Sequence, residues 1–215
     1  NQTNGRYMYH SMDATIGQTT NSLWLYTGTG DYERIGSTNT GTDNLMLGIS
    51  DPHYPAYRDV AVATKASDLT NCKNTTKDTT GAKCPQTPKD VGWYITLDDF
   101  QKVTAEPTVS SGLVYFPIYK PSSSVNKCSL GDAFICGVDD ECGTNVSNKL
   151  GSFRNKKDSC MYVGQGVLSR IVVYANKLFA NIAGQSTNAQ KKDLVVLDAA
   201  AGGTSSYRSS WRQNY

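Results

Sequence analysis

Apolar residues in this chain fall in short runs separated by Gly, Asn, Asp and Pro, and no run keeps a 3.6-residue period long enough for a sustained amphipathic helix. The pattern predicts an all-β protein in which helix is a minor component. One unit recurs three times along the chain. It starts with two turn-forming residues and an apolar strand, as in Asn21-Ser22-Leu23-Trp24-Leu25-Tyr26, Ser111-Gly112-Leu113-Val114-Tyr115-Phe116 and Asn176-Lys177-Leu178-Phe179-Ala180-Asn181. It continues with a strand led by aspartate: Asp43 to Ile49, Asp132 to Val138, and Asp193 to Leu197. Long polar loops intervene, so the copies are unevenly spaced.

Further strand candidates precede the second and third copies: Val103 to Val109 with Gly92 to Leu97 before it, and Val167 to Val173 with Met161 to Gly164 before it. Four short antiparallel strands used repeatedly are the signature of β-propeller blades, which bury their faces only against neighbouring blades. The rival architecture is an irregular sandwich with similar hairpins. On the propeller reading, residues 1–215 make one partial domain with about three blades of a modified propeller, at about residues 6–51, 91–139 and 160–198. Residues 52–90, with Pro52, Pro55, Pro85 and Pro88, form a long insert loop, and residues 199–215 a closing segment. Propeller rings take typically four to eight blades. These are therefore expected to be the C-terminal blades of a longer ring. Their open sheet edges should pair with the upstream part of the same polypeptide, and residues 1–215 alone should not be a stable monomer.

Composition narrows the class. With 38% hydrophobic and 19% charged residues the chain describes a polar-surfaced globule, and no apolar run approaches the roughly 20 residues of a membrane span. The first residues, Asn1-Gln2-Thr3-Asn4, lack the charged and apolar regions of a signal peptide. A net charge of +2 supplies no field for nucleic acid or an anionic bilayer. Six cysteines with no CxxC pair and only two histidines point to three disulfides in an oxidising compartment rather than to zinc. A Cys72–Cys84 bridge would tie off the Thr-, Lys- and Asn-rich stretch from Lys73 to Lys83, worth about 3 kcal/mol by loop entropy. Cys128, Cys136, Cys142 and Cys160 allow three pairings, and proximity in sequence favours Cys128 with Cys136 and Cys142 with Cys160.

Few residues suggest chemistry. Asp139-Asp140-Glu141 sets three carboxylates in a row, but neighbours in an extended segment point to opposite faces, which favours a solvated turn over a calcium site. Gly28-Thr29-Gly30-Asp31 lacks the third Gly and following helix of a phosphate loop, so its glycines are expected to permit tight turns and close backbone approach. His10 and His53 lie far apart and no Gly-x-Ser-x-Gly elbow is present. No catalytic, cofactor-binding or metal-binding residue is predicted, and Trp24, Trp93 and Trp211 are assigned to strand core or blade closure. Tyrosine, at 13 residues against 5 phenylalanines, suits interfaces. The cluster Tyr54, Tyr57 and Arg58 in the insert loop is the candidate partner contact.

These segments, taken in order, resemble a known family. Tyr26-Thr27-Gly28-Thr29-Gly30-Asp31-Tyr32 followed by Asp43-Asn44-Leu45-Met46-Leu47-Gly48-Ile49-Ser50-Asp51-Pro52 is similar to the "FGTGKY … DNRxYGIxDP" blade of PilY/PilC-type tip proteins of bacterial type IV pili. Gly92-Trp93-Tyr94-Ile95, Lys102 to Pro107, Leu113-Val114-Tyr115-Phe116 and Cys128-Ser129 resemble that family's next blade, and Ser210-Trp211-Arg212 its closing "SWRE". The resemblance runs from about Tyr7 to Arg212. It implies a C-terminal modified propeller preceded by a large N-terminal region, exported through the periplasm to the cell surface at the pilus tip. The implied partners are minor pilins, the tip complex and a host or abiotic surface. The implied roles are pilus assembly, control of retraction, adhesion and twitching motility, without catalysis. The family's DxDxDxxxD calcium loop has no counterpart here, so calcium is assigned only to the upstream part of the propeller and no cofactor to this chain. The competing functional expectation is a periplasmic quinoprotein-like oxidoreductase fragment. A third, a scaffold propeller in outer-membrane assembly, is disfavoured by the disulfide-rich inserts.

Overall fold

The computed structural model describes residues 6–38, 43–51, 53–56, 64–73, 91–98, 100–123, 129–144, 159–184 and 194–199. Among them the chain is all-β, with a single 3-10 turn at Ala66–Asp68. Three sheets follow one another along the sequence. The first contains β1 (Asp13–Ile16), β2 (Leu23–Gly28), β3 (Leu45–Asp51), β4 (Thr70–Asn71) and β5 (Gly92–Thr96), in the order β1-β2-β3-β5-β4. All of its pairs are antiparallel except β4 with β5. The second contains β6 (Lys102–Val103), β7 (Thr108–Ser110), β8 (Leu113–Lys120), β9 (Asp132–Asp139) and β10 (Cys160–Gln165), with β6 and β7 both pairing β8. The third contains β11 (Val167–Leu168), β12 (Val172–Tyr174), β13 (Lys177–Ala183) and β14 (Leu194–Asp198), with β11 and β12 both pairing β13.

The second and third sheets share a plan: a leading strand split in two, a long central strand, and an aspartate-bearing strand beyond it. The sequence repeat therefore marks equivalent positions, since β2, β8 and β13 are the second strands and β3, β9 and β14 the third. The turn residues before β8 and β13 have a physical task. Ser111 and Gly112, with φ of 56° and 75°, and Ala175 and Asn176, with φ of 47° and 58°, form two-residue hairpin loops. Two successive positive φ angles are what a type I′ turn requires, and its twist matches that of the flanking strands. The turn pair is thus Ala175-Asn176, and Lys177 already belongs to the strand.

Two strands fall on other sheets than the repeat in the sequence suggests. The unit at 91–139 includes Gly92 to Leu97, yet β5 pairs with β3 through Met46↔Ile95 and Gly48↔Trp93, which makes it the fourth strand of the first sheet. Likewise β10 pairs with β9 and closes the second sheet instead of opening the third. A strand's sequence cannot state which neighbour it joins. Here the long insert separates β3 from its partner β5, and the connection after β9 separates that strand from β10.

Side-chain alternation fixes the stacking. In β8, Leu113 and Tyr115 point into the core shared with the third sheet, whereas Val114, Phe116 and Ile118 point into the core shared with the first. In β9, Ala133 and Ile135 face one side, and Cys136 and Val138 the other. A sheet covered on both faces has no use for the polar alternation of a half-solvated one, and the near-continuous apolar run of β8 follows. Against it the first sheet packs Trp24, Tyr26, Met46 and Trp93, and the third packs Leu168, Ile171, Leu178 and Ala180.

Candidate functional site

At the seam between the first two sheets lies the turn after β9. Asp139, Asp140 and Glu141 are all buried, 7%, 7% and 8% exposed, which corrects the expectation of a solvated turn. The turn folds on itself: Asp139 Oδ1 accepts the backbone N–H groups of Glu141 at 3.1 Å and Cys142 at 2.9 Å, and Gly143 N–H donates to the Asp139 carbonyl at 2.8 Å. Glu141 reaches across to the hairpin between β1 and β2, accepting N–H bonds from Thr19 at 2.9 Å and Thr20 at 3.3 Å and the Thr20 hydroxyl at 3.3 Å. Trp24 Nε1 donates to that same hydroxyl at 2.9 Å. Trp93 Nε1 donates to the Asp140 carbonyl at 2.9 Å. Its indole is clamped by two glycines, because a Cβ on Gly48 or on Gly143 (φ 63°) would come within 2.4 or 2.5 Å of the ring.

The electrostatics follow from burial. The Asp140 carboxyl is pushed up to about 6, first by desolvation and then by the neighbouring Asp139 and Glu141 charges. Burial also raises the Tyr26 hydroxyl, with Asp140, Glu141 and Asp139 adding to it. The Tyr26 and Thr144 hydroxyls are buried without a hydrogen-bond partner among the described residues. The carboxylates do not converge on one point: Asp139 turns to its own loop and Glu141 to the first sheet. Among the described residues no group of three or more His, Cys, Asp or Glu side chains could hold a metal ion. The turn works as a clip between two sheets.

A second cluster forms where the leading strands approach one another. Glu106, in the loop between β6 and β7, accepts the Ser11 hydroxyl with one oxygen and pairs with Arg170 through the other. His10 stacks edge-on against Tyr32 at 5.4 Å, and burial lowers its pKa while Glu106 partly offsets the shift. Tyr7 and Tyr9 lie beside each other at 6.0 Å, both more than a third exposed. The sequence pattern does not single out this aromatic rim. Its signal is the density of Tyr and Met between Tyr7 and Met12, in a segment without strand periodicity.

The residues expected to staple loops or touch partners distribute as follows. Cys136 and Cys160 form a disulfide between directly opposed positions of β9 and β10. This overturns the pairings of Cys128 with Cys136 and Cys142 with Cys160, because strand register and not nearness in sequence brings these two cysteines together. Cys142 is itself disulfide-bonded. Cys72 is buried, and its Sγ donates to the Cys142 carbonyl at 3.1 Å. Cys84 and Cys128 lie outside the described residues, and with them the Cys72–Cys84 bridge. Tyr54 stands exposed in the turn after β3, whereas Tyr57, Arg58 and Trp211 also lie outside. Gly28 behaves as expected of a close approach, since a Cβ there would meet Val103 Cγ2 of the second sheet at 2.3 Å.

Successive antiparallel sheets stacked face to face, with split leading strands drawn together, define a propeller-like all-β fold. No protein-family model and no curated protein matches the sequence. Among solved structures the fold is similar to the Pseudomonas aeruginosa PilY1 C-terminal domain, with a TM-score of 0.62 and 12% identity over 93% of this chain. The chain spans 46% of that one. At this identity the likeness is one of fold. The Cys136–Cys160 disulfide fits an extracellular or periplasmic protein, and among the described residues no helix is long and apolar enough to cross a membrane.

Proposed function

We propose that this protein is a type IV pilus tip-associated component that works by binding, not catalysis, in pilus assembly, control of retraction, adhesion and twitching motility. The observation that carries the reading is a coincidence of order. The segments resembling the PilY/PilC family fall in sequence on β2, β3, β5, β6 and β8 of a fold that is also similar to a PilY1 C-terminal domain. Minor pilins and the pilus tip complex are the partners, and a host or abiotic surface the target. The exposed Tyr7, Tyr9 and Tyr32 rim and Tyr54 offer aromatic contact area of the kind that dominates interfaces; Tyr57 and Arg58 extend the Tyr54 candidate. Deleting the gene in its source bacterium should reduce surface pili and twitching, and the protein should co-purify with minor pilins. Unchanged piliation and twitching would refute the proposal. A stoichiometric quinone absorbing in the near-ultraviolet would replace it with the oxidoreductase reading.

A further inference from the structure

Residues 6–12 form no strand, and a few polar bonds hold them in place. Arg6 Nε donates to the Asp43 carbonyl at 2.6 Å, and Gly30 N–H donates to the Tyr7 carbonyl at 2.9 Å, which ties the segment to the first sheet. At its other end the Ser11 hydroxyl donates to Glu106, between β6 and β7 of the second sheet. His10 stands between these ties. Its ring meets Tyr32 edge-on, and its Nε2 is buried without a hydrogen-bond partner among the described residues. A neutral imidazole leaves at that atom one unmet polar site. A protonated imidazole would put there an N–H with nothing to accept it and a charge kept from water, and a stranded charged group costs more than a stranded neutral one. The charges around the ring do not reverse this. From the second sheet Glu106 favours the proton, but its oxygens already serve Ser11 and Arg170. From the first, Tyr32 presents a ring, and Asp31 and Arg34 beside it pair with each other. Burial outweighs Glu106 and holds the imidazole below its ordinary 6.5.

We propose that residues 6–12 are an acid-sensitive strap, closed on the first sheet while His10 is neutral and released from it when His10 takes up a proton. In the released segment the imidazole reaches water, which accepts the N–H that the closed segment leaves stranded. The sign follows from linkage. A closed form that binds the proton more weakly than the open one is favoured in full above pH 6.5 and loses ground as pH falls through that value. The strap carries Tyr7 and Tyr9, so its release takes apart one side of the aromatic rim. The inference rests on these contacts and not on the pilus reading, so either can fail alone.

The test uses the protein at its full natural length. Amide exchange at Gly30, whose bond to Tyr7 must break for the strap to open, is followed at pH 7.5 and pH 5.5 and corrected for the intrinsic rate. Protection there should fall at least about threefold at the lower pH while the amides of β8 keep theirs, and His10→Phe, which cannot titrate, should abolish the fall. In the unsubstituted protein the His10 Cε1–H resonance should titrate below 6.5. A smaller fall at Gly30, an equal fall in β8 or in His10→Phe, or titration at 6.5 or above would overturn the proposal. The resonance and the β8 comparison need no substitution, so they decide the matter even if His10→Phe does not fold.

Discussion

Replacing Asp140 by asparagine should stabilise this protein above pH 6, although the residue is buried and its turn joins two sheets. The joining bonds belong to the Asp140 backbone: its N–H donates to the Gly112 carbonyl at 3.2 Å, and its carbonyl accepts Trp93 Nε1. The carboxyl is what burial penalises. In the folded chain it titrates at about 6 against an ordinary value of 3.8. A raised carboxyl means that folding takes up a proton between those values, so stability is fully present below about pH 4 and falls as pH rises through 6. At 1.36 kcal/mol for each pH unit, the gap amounts to about 3 kcal/mol lost by pH 8. Asparagine keeps a carbonyl oxygen for the backbone N–H bonds that hold the carboxyl. Urea unfolding followed by Trp24 and Trp93 fluorescence, at pH 4.5 and pH 8, should show Asp140→Asn about 1 kcal/mol more stable than wild type at the lower pH and about 3 kcal/mol more stable at the higher. Destabilisation of similar size at both would refute the argument, because the side chain would then be holding the fold through hydrogen bonds and not burdening it with charge.

Glu141→Ala should behave in the opposite way, costing about 1–3 kcal/mol in the same assay at pH 8, since it removes the carboxylate that accepts the Thr19 and Thr20 N–H groups across the two sheets. Gly28→Ala should cost about 1–3 kcal/mol by overpacking against Val103, and the double variant Gly28→Ala/Val103→Ala should recover part of that loss. Removing the bridge with Cys136→Ala and Cys160→Ala opens a loop with a sequence separation of 24, and should lower stability by about 3.5 kcal/mol in non-reducing calorimetry.

The sequence disclosed what repeats and hid what pairs. The I′ turn chemistry of Ser111-Gly112 and the apolar strands after it are local, so the second and third strands of each sheet were legible. The partner of β5 was not, because the insert between β3 and β5 carries no mark of which sheet resumes after it. The same gap misdirected the cysteines. Cys136 and Cys160 meet through the β9–β10 register, and nothing near either residue announces it. The acidic turn misled for a related reason: three adjacent carboxylates suggest solvent until the N–H donors of Thr19 and Thr20, far away in sequence, are brought against Glu141.

The polar contacts between sheets explain how the stack holds one orientation. Apolar faces alone would tolerate rotation of one layer over the next, since hydrophobic burial has no direction. The leading strands remove that freedom. Val109 N–H of β7 donates to Asp13 Oδ2 of β1 at 2.8 Å, and Val103 N–H of β6 to the Thr29 carbonyl at 3.1 Å, which fixes the second sheet on the first. The Thr108 hydroxyl donates to the Ile171 carbonyl at 2.6 Å, and the Thr104 hydroxyl to that of Leu168 at 3.2 Å, which fixes the third on the second. Glu106 joins Ser11 and Arg170 at the convergence of all three. Such a partly exposed pair contributes little stability by itself. Its consequence is geometric, because directional bonds at the leading strands and undirected burial behind them hold each sheet in one orientation on the next.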